Sequence, residues 1–174
     1  MNLTAMRMFL SEDNIQRHLD YLNTLKLRFS ILEKSFPLLF QADFSAIYRL
    51  KIDKQIKNEA IDLLKNIRSH ELFFDSFSET HKRNEKIKEQ FISRDSLLYE
   101  IEKVAKDTEI GFVYIFINKT GKIDISHSND SAFVIFKPIL AVDVSEHSYF
   151  LDYGYKKDKY LRGALSYLDT EKIK

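Results

Sequence analysis

Asp143 and His147 stand four residues apart in Asp143-Val144-Ser145-Glu146-His147, directly after the apolar run Pro138-Ile139-Leu140-Ala141-Val142. A strand that hands over to a helical turn between them lets carboxylate and imidazole converge on one point, which is half of a metal site. The chain has five histidines with which to complete it: His18, His70, His81, His127 and His147. It has no cysteine, so thiolate sites and disulfides are excluded and any metal must use nitrogen and oxygen ligands. His18 and His70 fall in two segments with helical periodicity. If those helices pack antiparallel, both imidazoles meet between them, and Asp143 and His147 close the site. Three imidazoles and one carboxylate suit iron or manganese, with a fifth position left for solvent or substrate. Taken singly, each residue has a plainer reading. A histidine on a partly apolar helix face is more often a core histidine than a ligand, and Asp143 and His147 read equally as a strand-end turn and a surface residue.

The elements that must position these groups follow from the pattern. Ser11-Glu12-Asp13-Asn14 reads as a helix entry, with Ser11 as cap and Asn14 at the third position, where Glu or Gln would complete a capping box. Apolar residues recur from Ile15 through Leu19, Leu22, Leu25, Leu27, Phe29 and Leu32 to Phe36, roughly at helical spacing, where Pro37 ends the pattern. A second helix is expected from Asp53 to Phe74, with Ile56, Ala60, Leu63, Leu64, Ile67 and His70 on one side. A third runs from Ser93 to Lys106. The period then changes to strands: Gly111–Asn118, rich in β-branched and aromatic residues, a turn at Asn118–Gly121, a returning strand Lys122–His127, and a third strand Ile139–Val144. A last helix is expected over Tyr155–Leu168. This order is α+β: an N-terminal antiparallel long-helix hairpin, then a C-terminal α/β domain with a three-stranded antiparallel sheet. The polar run 78–90 is the expected junction, dividing the chain into residues 1–80 and 81–174 with the metal site between them.

Composition bounds the function classes. The 174 residues bury a sizeable core in one or two small domains. Lys plus Arg number 27 and Asp plus Glu 26, well mixed, so no field favours nucleic acid or an anionic membrane. The most apolar stretch, Ala132–Val144, is interrupted by Lys137 and Pro138 and is too short to span a bilayer. A cytoplasmic protein is the expectation, or one of an organellar matrix if the chain is a processed form.

The segment from Asp143 to Tyr153 resembles the D-V-W-E-H-A-Y-Y-L-x-Y signature of iron/manganese superoxide dismutases, and the resemblance extends from about Leu10 to Leu168. Leu10-Ser-Glu-Asp-Asn-Ile-Gln-Arg-His18 is similar to the family's approach to its first ligand histidine. Ser69-His70-Glu-Leu-Phe73-Phe74 resembles the N-H-x-x-F-W stretch of the second. Ile87, Phe91, Ser93, Leu97 and Ile101 follow the helix that opens the family's second domain, and Gly111-Phe112-Val113-Tyr114 stands where it has G-W-x-W. The resemblance implies one iron or manganese held by His18, His70, Asp143 and His147, and superoxide as substrate. It also implies a homodimer with Glu146 at the interface; the plainer reading of Glu146 is an exposed carboxylate at a helix start.

The departures lie around the ligands. The family's H-x-x-x-H-x-x-x-Y has Leu22 and Lys26 at its later positions, the tryptophan of D-V-W-E-H is Ser145, and the second tyrosine of E-H-A-Y-Y is Phe150. The glutamine that tunes the family's metal corresponds to Asn66 in iron-type members. In manganese-type members it falls within Asn129-Asp130-Ser131, which makes Asp130 the rival. Lys26 near the entrance is a candidate for attracting an anion, or a solvated helix lysine. The resemblance therefore implies dismutation of superoxide to oxygen and hydrogen peroxide. It leaves two alternatives: a scaffold or assembly subunit that keeps the fold without the activity, as some proteins of mitochondrial ribosomes do, and other oxygen chemistry at a mononuclear iron. His81 and His127 receive no role.

Overall fold

The computed structural model describes residues 3–82, 84–127 and 137–174. Its helices are α1 (Leu3–Met6), α2 (Glu12–Ser35), α3 (Phe44–Arg49), α4 (Lys54–Asp75), α5 (Glu85–Gln90), α6 (Arg94–Asp107), α7 (Phe150–Tyr153) and α8 (Lys157–Ser166). Its strands are β1 (Phe112–Ile117), β2 (Ile123–His127) and β3 (Leu140–Asp143).

Ser11 caps α2 as its sequence predicts, accepting from the Asn14 N–H at 3.2 Å. The reciprocal half of a capping box comes from elsewhere: the Ser11 N–H donates to Asp152 Oδ2 of α7 at 2.9 Å. Asp53 caps α4 and Ser93 caps α6 in the same way. α2 stops at Ser35 because Phe36, which precedes proline, is driven out of the helical region to φ −131° and ψ 82°.

Ile15, His18, Leu22 and Leu25 form the buried stripe of α2, and Ala60, Leu63, Leu64, Ile67, His70, Phe73 and Phe74 that of α4. The two helices run antiparallel. His18 of α2 meets His70 of α4, ring centres 5.0 Å apart, while Arg28 further along α2 reaches back to Glu59 of α4 at 3.9 Å. The connection between them folds into α3, which periodicity did not foresee. A second, smaller core of Leu39, Ile47, Ala60 and Leu64 lies beneath it.

The sheet order is β2-β1-β3, antiparallel throughout. The central strand β1 is buried from Phe112 to Phe116, which explains its unbroken apolar text. The expected polar junction 78–90 contains a further element, α5, capped by Asn84 and anchored by buried Ile87. From its end Gln90 pairs with β2 as a strand residue would: its amide donates to Ile123 O at 2.7 Å, and its carbonyl accepts from Ile123 N–H at 2.8 Å.

The main core draws on both ends of the chain, from Ala5 to Ile173, around fully buried Phe73, Phe74, Phe77, Tyr114 and Tyr160. Each such phenylalanine contributes about 3 kcal/mol by leaving water. β3 is fastened to α4 at its end, where the Ala141 N–H donates to Ser76 Oγ at 2.8 Å. Arg94 closes the C-terminal segment by donating to the carbonyls of Leu165, Ser166 and Leu168. Among the described residues no helix is long and apolar enough to cross a membrane.

Candidate metal centre

Four side chains from three separate segments converge where α2, α4 and the end of β3 meet. His18 stands one turn beyond Ile15 on the buried stripe of α2, and His70 near the end of α4. Asp143 is the last residue of β3, and His147 lies in the single 3-10 turn Glu146–Ser148 that follows. Asp143 Oδ2 lies 3.0 Å from His147 Nε2, 3.3 Å from His18 Nε2 and 3.8 Å from His70 Nε2. One donor atom from each of the four falls within 4.8 Å of every other.

Neighbouring groups hold these side chains in place. His70 Nδ1 bonds the Asn66 carbonyl at 2.7 Å, which leaves Nε2 turned to the centre. Asp143 is held through both its backbone and its second carboxylate oxygen. Its carbonyl accepts from Tyr160 Oη at 2.7 Å and Ser148 Oγ at 3.2 Å, and Oδ1 accepts from the Ser145 N–H at 2.9 Å. Ser145, standing where a tryptophan is expected, uses its hydroxyl to accept from the Gly111 N–H at 2.9 Å, which joins the start of β1 to the end of β3.

The electrostatics are those of a buried anion ringed by imidazoles. Burial alone would raise the Asp143 carboxyl, but its contacts with His147 and His18 outweigh this and hold it far below the usual range. Burial lowers His70 to about 4, against the opposing charge of Asp143. Burial also disfavours charge on His147, yet the close approach and charge of the Asp143 carboxylate prevail and raise it. Despite the short distances, Asp143 Oδ2 and both ring nitrogens of His18 make no well-directed hydrogen bond. Orphaned polar atoms in a core cost roughly 1–3 kcal/mol each. A cation among them would satisfy Oδ2 and the Nε2 atoms together. One carboxylate oxygen and three imidazole nitrogens match the preference of iron or manganese, so the residues present fit such an ion.

Residues 79–174, more than half the chain, match the pattern described as iron/manganese superoxide dismutases, C-terminal domain. The chain belongs to the iron/manganese superoxide dismutase family. Asp143 and His147 lie inside the matched segment; His18 and His70 lie outside it, and the fold carries them to the same point. The helices that come first and the three-stranded antiparallel sheet that follows agree with the superoxide dismutase fold.

The remaining residues singled out in the sequence are placed differently. Asn66 turns its side chain to solvent, where the amide donates to Asp62 O at 2.9 Å; only its backbone carbonyl meets the cluster. Lys26 is exposed and paired with Glu71 at 2.8 Å rather than standing as an isolated cation. Asp130 lies outside the described residues. Leu22 belongs to the core, and Phe150 packs its ring against Tyr155 near the surface. Glu146 is exposed at the turn that carries His147. Sequence reasoning passed over Tyr21, whose ring lies 5.2 Å from that of His70 and 5.1 Å from that of His147. The available signal was its spacing: three residues after His18, it shares that helix face.

Proposed function

We propose that this protein is a superoxide dismutase-type metalloprotein holding one iron or manganese through His18, His70, Asp143 and His147. The observation that carries the reading is the convergence of those four side chains on a buried carboxylate oxygen with no directed hydrogen bond, in a chain of this family. When bound, the metal supplies one-electron redox chemistry, which dismutates superoxide to oxygen and hydrogen peroxide. The protein's own part is to hold the ligands still. Asn66 acts through its carbonyl to orient His70, and Tyr160, Ser148 and Ser145 fix Asp143 in position. The salt bridge to Glu71 offsets the charge of Lys26, so steering of an anion by this lysine is weak. The same reading places the metal between an N-terminal unit, 1–80, and a C-terminal unit, 81–174. It also includes a homodimer with Glu146 at the interface and a cytoplasmic or organellar location.

A second reading, a family member that keeps the fold and metal without dismutation, is favoured by one observation. The positions expected to carry a histidine and a tyrosine hold buried Leu22 and ion-paired Lys26, neither of which relays protons there. Metal content and superoxide dismutation measured on one purified sample, with H70A and D143A alongside, separate the cases. About one iron or manganese per chain with dismutation, both lost in the variants, is the expected result. Metal without dismutation selects the second reading. A protein with neither metal nor activity overturns both.

A further inference from the structure

The metal centre lies at one end of the helical hairpin, and the other end carries a surface that the centre does not use. α2 continues unbroken from His18 to Ser35, which puts the connection 36–53 about 25 Å along the helix from the cluster. Among the described residues, five of the thirteen exposed large apolar side chains lie towards this end: Leu27, Ile31, Leu38, Phe40 and Tyr48. Leu27 and Ile31, four residues apart, share a face of α2 that Lys34 continues. Leu39 is fully buried in the smaller core, and Leu38 and Phe40 on either side of it are 65% and 66% exposed. Gln41, next in the chain, takes a left-handed backbone at φ 55° and donates its N–H to Glu33 at 3.4 Å, so the turn that presents Phe40 is a defined one.

The balanced charge of the whole chain conceals a local excess here. Between residues 33 and 57 stand five cations, Lys34, Arg49, Lys51, Lys54 and Lys57, against three carboxylates. Each carboxylate accepts backbone N–H groups of the same segment: Glu33 from Gln41, Asp43 from Ala46, and Asp53 from Gln55 and Ile56. Asp43 and Asp53 are helix caps, where the positive end of a helix offsets their charge. Glu59, the next acid along α4, pairs with Arg28. The cations have no such commitment. Among the described residues Lys34, Lys51 and Lys54 are exposed without a partner, while Arg49 and Lys57 donate to neutral acceptors, Ser45 Oγ and the Tyr48 carbonyl.

We propose that this end of the hairpin docks on an anionic lipid surface, with Leu38 and Phe40 entering the headgroup layer and the neighbouring cations meeting the lipid phosphates. No described helix is long and apolar enough to cross a bilayer, so the contact is peripheral. Neither feature suffices alone: two side chains bury little apolar area, and exposed charges are screened within about 10 Å at ordinary salt. Together they are the two signals that hold a protein at a membrane interface. The total charge of the chain argued against an anionic membrane; its segregation reverses that for this end alone.

Co-sedimentation of the full chain with vesicles tests this, using phosphatidylcholine alone or mixed equally with phosphatidylglycerol. Binding to the mixed vesicles and not to phosphatidylcholine is expected, weakening as salt is raised. K51Q/K54Q should bind about tenfold more weakly or less still, as two surface lysines lose their charge. L38S/F40S should bind about tenfold more weakly through lost apolar burial. F40W gives a readout that needs neither double variant: the chain has no tryptophan, so the emission reports this position alone. It should shift to shorter wavelength with the mixed vesicles. Y155W should not, because Tyr155 is 86% exposed just beyond Asp152, which is bonded to the opposite end of α2. No binding to the mixed vesicles, undiminished binding by K51Q/K54Q, or an equal shift in Y155W would overturn the proposal. Unchanged vesicle binding by L38S/F40S, with polyglutamate bound equally well, would overturn it in favour of an acidic protein partner. Metal removal leaves each expectation unchanged, so the proposal stands or falls apart from the metal reading.

Discussion

The carboxylate of Asp152 accepts the backbone N–H of Ser11 at 2.9 Å, tying the start of the helix that bears His18 to the segment just after His147. Chain positions 141 apart thus share one hydrogen bond, and the bond joins two of the three segments that supply the cluster. A helix start needs partners for its free N–H groups, and here a distant part of the fold provides one. The cap is accordingly a tertiary contact as well as a local one.

Replacing Asp152 should therefore loosen more than a helix end. D152A is expected to lower stability by about 1 kcal/mol, the usual cost of losing a cap, and D152N by less because an acceptor remains. Urea denaturation of the three proteins checks the order. Equal midpoints would show that solvent replaces the bond without cost.

Tyr160 is placed to matter for Asp143 rather than for its own packing alone. Y160F keeps the ring in the core but removes the donor to the Asp143 carbonyl, leaving only Ser148 Oγ at 3.2 Å. A loss of about 1 kcal/mol in stability is expected, together with about tenfold weaker metal binding. Competition against a chelator measures the second effect. Unchanged affinity in Y160F would mean that Ser148 and Ser145 suffice to hold the carboxylate.

Acid should destabilise the metal-free protein through His70. Its folded pKa is lowered to about 4 from 6.5, mainly by burial, so between those values the unfolded chain binds a proton that the folded one refuses. Stability from this group is full above pH 6.5 and is lost as pH falls towards 4, by up to about 1.4 kcal/mol per pH unit. His147 works in the opposite sense: its pKa is raised, so its contribution is full below 6.5 and fades as pH climbs through the folded value. Comparing wild type with H70Q by denaturation across pH 4.5–6.5 isolates the first effect. The wild type should lose the more stability on acidification, and parallel curves would refute the assignment.

Gly163 on α8 is a site where a better helix former should do harm. A Cβ there would lie 2.9 Å from Phe9 Cβ and 3.3 Å from Tyr153 Oη, in a corner where Tyr153 also bonds the Phe9 carbonyl. Helix propensity favours alanine by about 1 kcal/mol, whereas overpacking costs about 1–3 kcal/mol. G163A should be net destabilised by about 1 kcal/mol, as read by its thermal midpoint. A rise in that midpoint would show that Phe9 yields without strain.

How much of this was legible in the residues depended on whether each signal was local. Ser11 announced its helix because a cap acts within one turn, and Pro37 announced an end for an equally local reason; the caps Asp53 and Ser93 are read from the structure. The alternation of Lys122–His127 and the apolar text of β1 disclosed two strands. α3 and α5 were hidden: each has six residues, too few for a period to show, and each is held by burying a single side chain, Ile47 or Ile87. The fold brings His18, His70, Asp143 and His147 together as their residue types suggested. The direction of Asn66 was not readable, because a helical asparagine can turn its amide back to the preceding carbonyl, here Asp62 O, as easily as inward. Nor was Tyr21 readable. Its place over His70 and His147 depends on where the turn after β3 lies against α2, which is set by packing between distant segments.

The carboxamide of Gln90 has a consequence beyond the chain itself. An edge strand with free backbone groups is a template on which another molecule can add a strand, and β2 lies at such an edge. With its N–H and carbonyl both engaged by one side chain, Ile123 presents no vacant rung to a neighbour. Protection against edge-to-edge aggregation at the start of β2 thus rests on a single glutamine contributed by a helix that the polarity of its own sequence conceals.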